Sequence, residues 1–287
     1  MIHHFKNYLS LVKFSHTVFA LPFAIIGFFL GIRQTGFHFD TLLFLKVILC
    51  MVFARTSAMA FNRYADRRID SKNERTKKRE IPAGVISSRA ALSLVILSSL
   101  AFILVTYSIN SICFYLSPVA LIVVLGYSYT KRFTSLCHLV LGLGLSLAPI
   151  GAYLAVTGKF DWLPLFFSFT VLCWVSGFDV IYALQDEEFD RTNQLHSLPS
   201  YFGKSKALKV SSVLHFFSAL FIVIAGIYGS FGFIYWIGVA IFISLLVYQH
   251  SLVKPDDLSK VNIAFFSTNG IASIAFAAFV VVELITK

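Results

Sequence analysis

Apolar residues run along this chain in long blocks, not in the alternation of a half-buried strand or the narrow stripe of a soluble helix. A scan for about 20 residues with few charges marks nine blocks, near 15–33, 40–61, 89–107, 110–129, 136–156, 162–185, 208–228, 230–252 and 262–285. Each can cross a bilayer as a helix. The pattern therefore predicts an all-α polytopic membrane protein of nine transmembrane helices, with residues 1–287 as a single integral-membrane domain. Most connections are short and polar, and the longest polar stretch is the loop from Asp70 to Arg89, broken by Pro82 and Gly84.

Polar residues that intrude on the apolar blocks carry the chemical signal. Toward the end of the second block, Asn62, Asp66 and Asp70 stand four residues apart. On a helix such positions share one face, since four residues advance about 40° past a full turn. Hard oxygen donors of this kind hold magnesium with one or two carboxylates while substrate phosphates complete the shell. Arg55 lies two helical turns before Asn62. An intramembrane cation faces the protein interior by default, which makes Arg55 an anion site beneath the metal face, unless it snorkels to the interface. After the sixth block, Asp186 and Asp190 repeat the four-residue spacing, and Asp179 stands on the same face about 10 Å deeper at 1.5 Å rise per residue. Asp179 is an ionisable group within a span, which marks a functional site. At the end of the fourth block Tyr127 and Lys131 place a hydroxyl and an ammonium on one face, a candidate phosphate contact.

Composition agrees with the membrane reading: the 287 residues are 57% hydrophobic and 13% charged, with a mean hydropathy of +0.79. The net charge of +10 would fit nucleic acid, but its distribution excludes that partner. Of the 24 lysines and arginines, 19 fall at the N-terminus and in the loops after even-numbered spans, against three (Arg33, Lys159, Lys287) on the other side. The positive-inside rule then places the N-terminus in the cytoplasm and the C-terminus outside, and an odd number of spans is required. Both acidic faces follow even-numbered spans, so both open to the cytoplasm. Together with cations from three loops they could form one pocket for two magnesium ions and a diphosphate. The N-terminal segment is too polar and its first apolar run too long for a cleaved signal, and Lys13 there reads as an interface anchor. Cys50, Cys113, Cys137 and Cys173 stand singly and read as apolar fillers. Asn262, Ser267, Thr268 and Asn269 make the start of span nine polar, for packing between helices in preference to lining a cavity.

The motifs NRYADRRID, NERTKKREIPAGVIS, YSYTK and YALQDEEFD together resemble the UbiA superfamily of intramembrane prenyltransferases. The resemblance implies nine helices around a central cavity, a polar cap over its cytoplasmic mouth, and transfer of a polyprenyl group from its diphosphate to an acceptor. It implies that Asn62, Asp66, Asp70, Asp186 and Asp190 hold Mg2+ and diphosphate, with Arg75, Arg79, Tyr127 and Lys131 on the diphosphate. ARTSAMAFNRYADRRID and HTVFALPFA look most like the 4-hydroxybenzoate polyprenyltransferase-like branch, which includes enzymes of the futalosine route to menaquinone. The implied partners are a polyprenyl diphosphate, a small hydroxylated aromatic acid and the lipid bilayer of the cytoplasmic membrane. In that chemistry an allylic cation attacks a ring carbon, Asp66, Asp70, Asp186, Asp190 or Asp179 supports the reaction, and Arg55 meets the acceptor carboxylate. A secondary transporter is the alternative. It would carry its ionisable groups near the midplane in corresponding positions of two halves, whereas here they gather at one face.

Overall fold

The computed structural model describes residues 2–12, 19–36 and 38–286. The chain is all-helical in order. A short helix α1 (Ile2–Leu11) precedes α2 (Leu21–Gln34), α3 (Thr41–Asp70), α4 (Ser88–Tyr107), α5 (Ser111–Thr130), α6 (Cys137–Thr157) and α7 (Trp162–Ala183). A single 3-10 turn (Leu184–Asp186) leads to the short helices α8 (Glu187–Thr192) and α9 (Leu198–Phe202). Then come α10 (Lys204–Tyr228), α11 (Phe233–Leu252), a π-helical stretch (Ile263–Thr268) and α12 (Asn269–Thr286).

Among the described residues eight helices are long and apolar enough to cross a membrane, counting α7 with the turn and α8 that continue it. The first predicted span is represented by α2, which is 14 residues long; residues 15–18 of that span, and Lys13 before it, lie outside the described residues. Helix starts are set where polar side chains meet backbone N–H groups that the first turn leaves unpaired. Asp40 accepts from Leu42 N and Leu43 N (2.8 and 3.1 Å), Asn110 from Cys113 N (2.9 Å) and Asp161 from Leu163 N (3.0 Å). Lys46, inside the second span by sequence, donates to the Ser108 carbonyl just past the end of α4 (2.7 Å).

The apolar core lies among α2, α6, α7, α10, α11 and α12, around the buried rings of Phe23, Trp174, Phe178, Phe242 and Phe276. Trp174 sits at the centre, 5.1 Å from Phe178 and 5.4 Å from Phe23 between ring centroids, with its Nε1 donating to Asn269 Oδ1 at 2.9 Å. Asn269 thus serves packing, while Asn262 borders the central cavity. Two glycines allow backbones to meet: a Cβ at Gly27 of α2 would strike the Pro149 carbonyl of α6, and one at Gly142 of α6 would strike Ser176 Oγ and the Leu172 carbonyl of α7. Large apolar side chains such as Leu97, Ile122, Phe216 and Val247 point outward from the spans, as a lipid-facing surface requires. All four cysteines are unpaired.

Helices α3 and α5 pack differently. Only 11% of the apolar stretch of α3 and 17% of that of α5 is buried, against 67% for α7. The cavity that the motifs face lies between these two helices and α6 and α7.

Candidate active site

A cavity of about 1090 Å³ opens between α3, α5, α6 and α7, under the polar cap made by the 71–87 loop and the 184–202 segment. Small-molecule pockets usually hold about 300–1,000 Å³, so this one has room for a small acceptor and part of a long tail. Its lower walls are apolar, with Met51, Ala120, Val124, Leu145 and Leu147. Its mouth is charged: Asn62, Asp66, Asp70, Arg75, Arg79, Lys131 and Asp186 all border it, with Arg55, Tyr127 and Asp179 deeper.

Helix α3 remains regular through the whole first motif. Asn62, Asp66 and Asp70 therefore share the face their spacing predicts, and Asn62 Nδ2 donates to Asp66 Oδ2 at 3.0 Å. The second motif does not stay on one face. The 3-10 turn at Leu184–Asp186 re-phases the chain, so that Asp186 points to the cavity while Asp190 turns away. Asp190 is fully buried, paired with Lys131 Nζ at 2.7 Å and accepting from Ser197 Oγ at 2.9 Å. It does not border the cavity. The expected common face of Asp186 and Asp190 is thus corrected: i, i+4 spacing gives one face only within one uninterrupted helix.

At the mouth each carboxylate meets a cation. Asp186 is bonded by Arg75 Nη2 and by Arg75 Nε (3.0 Å), and by Asn73 Nδ2 at 3.1 Å. Asp70 Oδ1 pairs with Arg79 Nη1 at 2.7 Å, and Asp66 lies 3.4 Å from Arg132. Burial works against the charge of Arg75, but its bonds to Asp186 more than offset this and raise its affinity for the proton. Burial likewise opposes the ammonium of Lys131, and the adjacent Asp190 carboxylate overcomes it and raises it above the usual lysine range. Among the described residues no three His, Cys, Asp or Glu side chains stand close enough together to hold one ion. The donor set nevertheless fits magnesium completed by phosphate: Asp70 Oδ2 is buried without a hydrogen-bond partner, and the amide nitrogen of Asn62 is committed to Asp66, which leaves its oxygen to ligate.

Two residues of the cavity wall escaped the sequence reading. Arg63 of α3 is buried, and its Nε has no hydrogen-bond partner among the described residues. Its place in the N-R-Y sequence looked like one more loop cation. His138, in the first turn of α6, lies 2.7 Å through Nδ1 from Asp179 Oδ2. A lone histidine 41 residues from its partner leaves no pattern in the sequence.

A bundle of membrane-spanning helices that closes around an apolar chamber with a charged mouth defines an intramembrane enzyme of lipid-like substrates. A model of the UbiA prenyltransferase family matches residues 20–276. The chain belongs to that family. It is 31% identical to the 4-hydroxybenzoate octaprenyltransferase of Nitrosospira multiformis over 238 residues, covering 83% of this chain and 82% of the relative. Among solved structures, a UbiA homologue from Aeropyrum pernix K1 superposes with a TM-score of 0.80 at 26% identity, covering 94% of this chain and 97% of that one. A UbiA homologue from Archaeoglobus fulgidus bound to GPP and Mg2+ shares the fold, with a TM-score of 0.75 at 19% identity over 98% of this chain and 100% of that one. Membership of a transferase family displaces the transporter alternative.

Proposed function

We propose that this chain transfers a polyprenyl group from polyprenyl diphosphate to a hydroxylated aromatic acid of the 4-hydroxybenzoate or 1,4-dihydroxy-6-naphthoate type, in respiratory quinone synthesis and with Mg2+. One observation carries the reading: a single cavity joins a mouth of opposed acids and bases to an apolar chamber. The name of the Nitrosospira multiformis relative supports a hydroxybenzoate acceptor. GPP and Mg2+ occur together in the Archaeoglobus fulgidus protein.

In this reading Asn62, Asp66, Asp70 and Asp186 hold the metal, and Asp190 acts through Lys131, which it holds at the mouth. Bound there, magnesium would offset the charge that develops on the departing diphosphate. Arg75 and Arg79 exchange a carboxylate partner for diphosphate oxygens, which the forked guanidinium suits, while Lys131, kept on Asp190, presents its ammonium to the same oxygens. Arg63, buried with an unpartnered Nε, adds a cation at the same end. Tyr127 offers its hydroxyl to the diphosphate. Deeper, Arg55 pairs with the carboxylate of the acceptor, and the apolar walls keep water from the cationic prenyl group. Residues 1–287 act as one unit, with the N-terminus and the mouth of the cavity on the cytoplasmic side and the C-terminus outside.

Offering both acids with a polyprenyl diphosphate to the protein in proteoliposomes, and identifying products by mass spectrometry, tests this directly. One alkylated acid, with release of diphosphate, is expected. Intact diphosphate with every acceptor would overturn the proposal.

A further inference from the structure

His138 is held on three sides. Its carbonyl accepts from Ser176 Oγ at 3.1 Å, in the contact between α6 and α7 that Gly142 permits. Its Nε2 accepts the backbone N–H of Leu198 at 3.3 Å, at the start of α9. A ring nitrogen that accepts carries the lone pair. The proton therefore sits on Nδ1, where it is donated to Asp179 Oδ2 at 2.7 Å.

Both residues border the cavity, but the histidine side chain is only 3% exposed whereas that of Asp179 is 24% exposed, so the carboxylate is the more open of the two. No other hydrogen bond to that carboxylate occurs among the described residues. Asp179 precedes Asp186 by seven residues and Arg55 precedes Asn62 by seven, so both lie about 10 Å below the charged mouth at 1.5 Å rise per residue. Tyr127 of α5 borders the cavity together with both. This level, below the diphosphate and above the apolar chamber, is where an acceptor ring held by Arg55 would lie.

We infer that Asp179 accepts the proton displaced from the acceptor ring and that His138 is its positioning residue. The inference rests on the prenyltransferase reading. The C–O bond of the donor breaks with its electron pair leaving on the diphosphate. A ring carbon supplies the pair for the new C–C bond. The C–H bond at that carbon then breaks, its pair restores the aromatic ring, and its proton passes to the Asp179 carboxylate, which returns it to water at the mouth. The Nδ1–H of His138 keeps the carboxylate aimed, in the manner of an orienting partner behind a catalytic base.

The test uses the full chain in proteoliposomes with a polyprenyl diphosphate and acceptor deuterated at the alkylated carbon. His138→Phe should lower kcat about 100-fold, the scale of a misplaced catalytic group, while leaving the KM for the donor unchanged. A primary isotope effect absent from the wild type should appear, because proton removal becomes slow. His138→Asn, whose amide N–H can replace Nδ1–H, should recover most of the rate, and Asp179→Asn should lose at least as much as His138→Phe and show the same isotope effect. If His138→Phe fails to fold, as thermal unfolding would reveal, the isotope effects of His138→Asn and Asp179→Asn decide. Wild-type rates in His138→Phe, or a slower enzyme with no isotope effect and no rescue by Asn, would overturn the inference. So would an Asp179→Asn enzyme without the effect. A wild-type protein that alkylates no acceptor would instead overturn the prenyltransferase reading itself.

Discussion

Asn62, Asp66 and Asp70 on α3 and Asp186 and Asp190 beyond α7 share one spacing and meet different ends. The first set stays on a single cavity face because α3 runs unbroken from Thr41 to Asp70. The second is split by one 3-10 turn, which leaves Asp186 at the mouth and sends Asp190 into a buried pair with Lys131 and Ser197. The surroundings follow the same division. The α3 side is bordered by lipid and cavity, while α7 is enclosed by packed helices. Equal spacing thus yields a cavity-facing row in one place and a brace for a cation in the other.

The largest effect is expected at the unbroken face. Asp66→Ala removes a carboxylate that borders the cavity, and loss of several kcal/mol of metal-based charge stabilisation corresponds to about 10³-fold or more in prenyl transfer. Thermal unfolding should be little changed, since the Asp66–Arg132 contact is long and half-open to water. Unchanged turnover in a proteoliposome assay would remove Asp66 from the metal site.

The two members of the second motif should then separate. Asp186→Asn should act on catalysis, with kcat down about 100-fold for a loss near 3 kcal/mol, beside a stability cost of about 1–3 kcal/mol from leaving Arg75, which is 31% exposed, without its carboxylate. Asp190→Asn should act on the fold. It leaves Lys131 without its carboxylate, and because that lysine is 35% exposed the cost is below the full buried-pair value, about 1–3 kcal/mol. Chemical unfolding in detergent beside a turnover assay reads both. A stable Asp190→Asn protein that loses more turnover than Lys131→Ala would put Asp190 back among the ligands. The smallest effect belongs to Arg132→Ala, which loses an exposed bond to the Ala65 carbonyl (2.7 Å) and a long contact to Asp66, together about 1 kcal/mol, and a larger loss of stability would show that the mouth is more tightly coupled than these distances imply.

The span pattern was legible because about 20 apolar residues have few alternatives to a membrane helix, and the face on α3 was legible because nothing interrupts its period. The turn at Leu184–Asp186 was not: LQDEEFD reads as continuous helix, and the 3-10 turn is set by its packing against α9 and the cap. His138 and Arg63 were hidden for another reason. Each acquires meaning only from a partner or a cavity that tertiary packing supplies, as when Gly142 brings α6 onto α7 and His138 onto Asp179. Arg75 and Arg79, expected on the diphosphate, rest instead on Asp186 and Asp70, which makes the mouth a set of pairs that a diphosphate and its metal would have to part.

That last point gives the most direct measurement. Diphosphate release should be followed in proteoliposomes holding the wild-type protein, a polyprenyl diphosphate and an aromatic acid, while magnesium is first chelated and then restored. The mouth described here predicts that release stops without magnesium, returns when it is added back, and does not return in Asp66→Ala at the same concentration. Release at the full rate under chelation, or restored equally in the variant, would contradict it.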